Sequence, residues 1–194
     1  MTEEINKYIV RRIAKSVWEA QELIKPLVNK PLINKKFDIT ATISNRTLGK
    51  LGSSEATKKS INPRLHAKAV ANIDYLFENA EIDVTQIDSK NRAEVEQVHR
   101  LGTLMFDEQT NDYVPAMITV IEYKKDGNRI YSVEAIDLIE KEAPAVIAGV
   151  RELAGQTTAS DHNAVRQVPS TNFNAKIQQL LEKTKQKAEK NSPT

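Results

Sequence analysis

Apolar residues recur at three- and four-residue steps near the start of the chain, where Ile5, Ile9, Ile13, Val17, Ala20, Ile24 and Leu27 line one stripe. That period belongs to an amphipathic helix, and it predicts a helix over residues 3–28. Thr2 stands as its N-cap, Glu3 and Glu4 suit the positive end of its dipole, and Pro26 and Pro31 bracket its end. Tyr8 and Trp18 fall inside it and read as packing residues. Residues 37–43 (FDITATI) alternate apolar and polar, the period of a strand. Ser44 then caps a short helix, NRTLGKLG, and a second short turn covers 53–59. A clearer helix over about 62–79 opens with Asn62 as cap and Pro63 at the first helical position, and buries Leu65, Ala69, Ile73, Leu76 and Phe77. Strands follow at about 95–106, 113–123 and 129–139, joined by the turn-rich connectors DEQTND and KKDGN into an antiparallel meander, with 82–87 as an additional edge strand.

Helices first and strands afterwards predict an α+β fold with a three- to four-stranded antiparallel sheet. Past residue 140 the pattern is helical to 154, then polar, then helical again over 173–190 with a thin stripe of Ile177, Leu180 and Leu181. The expected organisation is an N-terminal helix (1–30), an α+β domain (37–139) and a helical, partly disordered C-terminal extension (140–194).

Composition narrows the chemistry. The 194 residues are 40% apolar and 28% charged, ordinary for a globular protein. No apolar run approaches the roughly 20 residues that span a bilayer, and the acidic start MTEE does not read as a secretory signal. With no cysteine, thiol nucleophiles and thiolate metal sites are excluded. His66, His99 and His162 are far apart and lack metal-ligand spacing. The expectation is a cytoplasmic protein that uses no metal or other cofactor and no membrane. Net charge is only +2, but its distribution is uneven. Residues 30–68 hold nine basic side chains against two acidic ones, a balance of +7, whereas 69–99 hold seven acids against Lys90 and Arg92, or −5. Such a split gives one electropositive side suited to RNA or another polyanion.

Several short stretches occur together: Leu48-Gly49-Lys50, Lys58-Lys59-Ser60, His66, Ala71-Asn72-Ile73-Asp74, His99-Arg100, Thr119-Val120 with Glu122, and Ile130-Tyr131-Ser132. In that order they resemble a domain of phage and mobile-element polyvalent proteins and phage-head-associated toxins, assigned to the barnase–EndoU–colicin–RelE-like nuclease fold. The resemblance covers about 37–139 and implies a nuclease-like domain whose ancestral chemistry is metal-independent RNA cleavage. It also allows an immunity or inhibitor protein as a partner. Ile121 stands where the family usually has lysine, and Leu101 where an aromatic usually follows the His-Arg pair.

Metal-free RNA cleavage needs a base for the ribose 2′-hydroxyl, an acid for the leaving oxygen and cations for the phosphate. His66, in the first turn of its helix, is either the base or a packing residue. His99 and Arg100 point to opposite sheet faces. If Phe106 opposes Tyr113, His99 shares a face with Glu122; if Glu122 opposes Ile130, Tyr131 joins Arg100 instead. The catalytic expectation is therefore His66, Arg100, Tyr131 and Glu122, with Arg46, Lys50, Lys59, Ser60 and His99 contacting substrate. His99 with Glu122 reads equally as a structural hydrogen-bonded pair. Beside the endoribonuclease stands an alternative, a catalytically inactive RNA- or protein-binding module.

Overall fold

Side-chain caps decide where the helices begin. The computed structural model describes residues 10–60, 62–125 and 128–139, together with positions 175, 179 and 182. Ser16 opens α1 (Val17–Ile24): its hydroxyl accepts from the Glu19 amide at 3.2 Å, while the Glu19 carboxylate takes the Lys15 amide at 2.8 Å. This reciprocal pattern is a capping box shifted by one residue. It starts the helix at Val17, and the helix ends eight residues on at Ile24, so the expected helix over 3–28 is corrected within the described residues; 1–9 lie outside them. Ala20 and Ile24 are buried as expected, but Ile13 is 82% and Trp18 71% exposed. A 3-10 turn, Lys25–Leu27, follows at Pro26.

Ser44 caps α2 (Asn45–Leu51) through the Thr47 amide, Ser53 caps α3 (Ser54–Lys59) through the Ala56 amide, and Asn62 caps α4 (Pro63–Ala71) through the Arg64 and Leu65 amides. The helix expected to run on to 79 breaks at Asn72, and α5 (Ile73–Glu78) starts anew. Asn72 is buried and fully engaged. Its carbonyl oxygen accepts from the Arg11 and Arg12 amides at 3.0 and 2.8 Å, and its amide donates to the Arg12 and Lys68 carbonyls, both at 2.8 Å. Arg12 also grips Asp74 with two nitrogens, at 2.6 and 2.8 Å. The Ala71-Asn72-Ile73-Asp74 stretch therefore pins the segment before α1 to the α4–α5 junction.

The strands are β1 (Leu32–Asn34), β2 (Ile39–Thr42), β3 (Glu81–Gln86), β4 (Val95–Asp107), β5 (Asp112–Lys125) and β6 (Asn128–Leu138). They form one sheet in the order β1-β2-β6-β5-β4-β3, curled like half a barrel, with β2 parallel to β6 and every other pair antiparallel. The expected three- to four-stranded antiparallel, barnase/RelE-like sheet is thus overturned. The meander and its edge strand β3 are present, but β2 pairs with a strand some ninety residues later (Ala41 opposite Tyr131), a contact that local alternation does not encode. The expected C-terminal helical extension lies outside the described residues, apart from helical, exposed positions Ala175, Gln179 and Glu182.

One core joins helices and sheet: Ile24, Leu51, Val70, Ile73 and Phe77 pack with Leu101, Ile118, Val120, Val133 and Ile136. The other sheet face carries a smaller cluster of Leu104, Tyr113 and Met117. Among the described non-glycine residues, four adopt positive φ, and all are Asn or Asp: Asn29, Asp38, Asn91 and Asn111. These side chains tolerate left-handed backbone better than others do. No described helix is long and apolar enough to cross a membrane.

Candidate active site on the sheet

Alternation along four neighbouring strands brings five polar side chains to the core-side face of the sheet. Thr85 on β3 opposes His99 on β4, His99 opposes Val120 on β5, and Glu122, two residues further along β5, opposes Tyr131 on β6. His99 and Glu122 are diagonal neighbours, within reach of an imidazole and a carboxylate. His99 Nε2 lies 2.8 Å from Glu122 Oε2, and His99 Nδ1 lies 2.9 Å from Thr85 Oγ1. The second oxygen of Glu122 meets Arg129 Nε at 3.2 Å. The Tyr131 ring leans on the imidazole, with centroids 5.9 Å apart.

Burial grades sharply across this cluster. The Glu122 side chain is 1% exposed, His99 8%, and Arg129 66%, while Thr85 is exposed on the outer strand. A carboxylate only accepts, so Nε2 carries a proton and donates to Glu122; in the neutral ring Nδ1 then accepts from the Thr85 hydroxyl. An imidazole nitrogen bonded to the hydroxyl of an exposed residue, with the ring oriented from behind by a buried carboxylate, is an arrangement that can serve general base catalysis. Arg129 places a cation at the rim and balances the buried charge.

The sequence-derived site divides between this cluster and other places. His66 is fully buried; its Nε2 donates to the Leu51 carbonyl at 2.9 Å, and its Nδ1 takes the Ser60 hydroxyl at 2.6 Å. Both residues therefore staple α2, α3 and α4 together, away from solvent. Arg100 points to the opposite sheet face, where it donates to Thr119 Oγ1 at 3.2 Å and faces Asp137 at 3.9 Å. Burial pushes its guanidinium pKa below the usual value, against the pull of Asp137 and Asp83. Lys50 is paired with Glu134, Arg46 is exposed on α2, and the Lys59 side chain lies outside the described residues. His66, Arg100 and Tyr131 do not converge. His99, Glu122 and Tyr131 do.

The Arg100–Tyr131 pairing fails by one residue of register. Phe106 does oppose Tyr113, as expected, but Glu122 opposes Tyr131 and not Ile130. Lys125 pairs with Asn128, so Asp126 and Gly127 alone separate the strands in sequence. An Asp-Gly pair is the signature of a two-residue hairpin, and reading it so gives the correct face. Thr85 and Arg129 carried no signal of their own; only the pairing of four strands identifies them.

Residues 14–131, more than half of the chain, match the family described as Large polyvalent protein-associated domain 3. The chain belongs to that family. No curated protein and no solved structure matches it. The polyvalent-protein domain contains the whole cluster, since Thr85, His99, Glu122, Arg129 and Tyr131 all fall within the matched stretch. Membership agrees with the polyvalent-protein part of the resemblance and is consistent with a phage or mobile-element origin, but it carries no assignment to the nuclease fold.

Proposed function

We propose that this polyvalent-protein domain cleaves RNA without a metal, using His99 as the base. The observation that carries the reading is the Glu122-oriented imidazole whose other nitrogen is hydrogen-bonded to the hydroxyl of the exposed Thr85. A ribose 2′-hydroxyl would take the place of Thr85 Oγ1 at His99 Nδ1. As the 2′-oxygen bonds to phosphorus, its proton passes to His99, and Glu122 stabilises the imidazolium. The bond from phosphorus to the 5′-oxygen breaks, and that oxygen takes a proton from the Tyr131 hydroxyl, whose developing charge Arg129 supports. The products are a 2′,3′-cyclic phosphate and a 5′-hydroxyl. Exposed cations of the segment 30–68, Arg46 among them, would hold the rest of the strand. In a cell such an activity is a toxin's, acting in the cytoplasm and requiring an inhibitor protein for the producer's safety.

The test is cleavage of a labelled oligoribonucleotide by the full chain in excess EDTA. His99→Ala should lower the rate about 100-fold or more, and Glu122→Gln should lower kcat with little change in KM. Undiminished cleavage by His99→Ala sinks the reading. A second reading, RNA or protein binding without cleavage, draws on the slight exposure of the His99 side chain, 8%. It expects salt-sensitive retention of RNA with no cleavage by any variant.

A further inference from the structure

We propose that Thr85 is itself a nucleophile, activated by His99 and Glu122 toward carboxylic esters and related acyl electrophiles. The inference shares the His99–Glu122 pair with the RNA reading but does not rest on it.

Hydroxyl, imidazole and carboxylate stand in an unbroken line: Thr85 Oγ1 to His99 Nδ1 at 2.9 Å, and His99 Nε2 to Glu122 Oε2 at 2.8 Å. This is the order of groups that activates a hydroxyl in acyl transfer, here with the two ring nitrogens exchanged relative to the serine–histidine–aspartate triad. Its parts differ in exposure as the chemistry demands. Thr85 is exposed on β3, an outer strand of the sheet, where an electrophile can reach it, and Glu122 is buried, where its charge acts on the imidazole undiluted by water. Arg129 holds the other carboxylate oxygen, so Glu122 is constrained on both sides.

A second hydroxyl–imidazole contact in the same molecule isolates what matters. Ser60 meets His66 Nδ1 at 2.6 Å, closer than Thr85 meets His99. Yet His66 Nε2 donates to a neutral carbonyl, that of Leu51, and both residues are buried. With no carboxylate to stabilise an imidazolium and no route for a reactant, that pair is structural. The Thr85 pair has both.

In the proposed step, Thr85 Oγ1 bonds to the ester carbonyl carbon while its proton moves to His99 Nδ1. The tetrahedral adduct collapses, the carbon–alkoxide bond breaks, and the departing oxygen takes that proton from His99. Water, deprotonated by the same nitrogen, then releases the carboxylic acid and restores the Thr85 hydroxyl. No oxidant or reductant is needed.

The experiment incubates the whole 194-residue chain with a fluorophosphonate bearing a reporter, which replaces its fluoride by the attacking oxygen, and locates the adduct by peptide mass spectrometry. The expected adduct is on Thr85 and not on Ser60. Thr85→Val, isosteric and at an exposed position, should abolish it. Thr85→Ser, a less hindered alcohol, should label at least as fast. His99→Gln should slow labelling about 100-fold. Absence of any adduct on the folded wild type, an adduct elsewhere only, or a Thr85 rate indifferent to His99→Gln overturns the proposal. RNA cleavage by the same wild-type preparation separates the two ideas. Cleavage without a Thr85 adduct defeats only the nucleophile, and an adduct without cleavage defeats only the ribonuclease.

Discussion

Both ring nitrogens of His66 are occupied by partners from other helices, so its removal is a packing and hydrogen-bonding loss. His66→Ala leaves the Leu51 carbonyl and the Ser60 hydroxyl without their partner and opens a cavity beneath α4. A loss of about 3 kcal/mol is expected from the cavity and the stranded groups together. For a chain of this size that is a fall in Tm of roughly 6–12 °C, read by thermal unfolding at neutral pH. An unchanged Tm would mean that the two hydrogen bonds hold nothing. Sequence alone could locate His66 in the first turn of a helix, where an imidazole suits a base. It could not reveal that a carbonyl from α2 and a hydroxyl from the end of α3 would arrive on its two nitrogens. Asn72 repeats the lesson: four backbone partners drawn from two segments make it an anchor, and none of them is visible in the local pattern. Glu122 and His99 were nearer to legible, because strand alternation plus one correct hairpin register puts them on one face.

At the scale of elements, α4 is clamped to the tip of the β4–β5 hairpin by charge. Arg64 holds both oxygens of Asp107 at 3.0 and 2.8 Å, Thr110 donates to the same carboxylate at 3.0 Å, and Lys68 donates to the Phe106 carbonyl at 3.0 Å and pairs with Glu108. Asp107 is fully buried, so removing Arg64 strands a desolvated carboxylate. Arg64→Met should cost about 2 kcal/mol, and Asp107→Asn made in the Arg64→Met background should cost less than in the wild type, with a coupling of about 1 kcal/mol. Urea denaturation of the two single variants and the double variant measures it, and strictly additive losses would show the clamp to be inert. The elements that sequence located best are those whose ends carry their own chemistry: Ser44 and Asn62 as caps, and the DEQTND loop that fixes Phe106 against Tyr113. α1 was overextended because the apolar stripe outlasts the Ser16–Glu19 cap that starts the helix. β1 escaped notice at three residues, too short to alternate, and only its pairing with β2 makes it a strand.

Across the whole molecule, acidic side chains act as fasteners, most of them between segments distant in sequence and one, Asp88 with Arg92, within a single connection, and this sets how the fold responds to acid. The Arg64 hydrogen bonds hold the Asp107 pKa below the usual carboxylate value despite burial. Burial pushes Asp74 and Glu108 up, but the Arg12 and Lys68 contacts outweigh it, and both end lowered. Asp88, gripped by the Arg92 side chain and amide, is lowered as well. A carboxylate whose pKa is lower folded than unfolded stabilises the fold wherever the unfolded chain is also ionised. That stabilisation disappears as pH falls from the unfolded value through the folded one. The unfolded values lie near 4, so stability should be nearly flat above about pH 5 and decline steadily toward about pH 2. The fasteners join the segment before α1 to the α4–α5 junction, α4 to the β4–β5 hairpin, and the two ends of the β3–β4 connection. The Asp107 and Glu108 contacts are the ones that tie a helix to the sheet, so their loss should loosen α4 from the β4–β5 hairpin. Urea midpoints at pH 7, 5 and 3 test this. The midpoint at pH 3 should be the lowest, and Asp107→Asn should flatten the dependence. A midpoint that rises on acidification would mean that these carboxylates do not stabilise the fold.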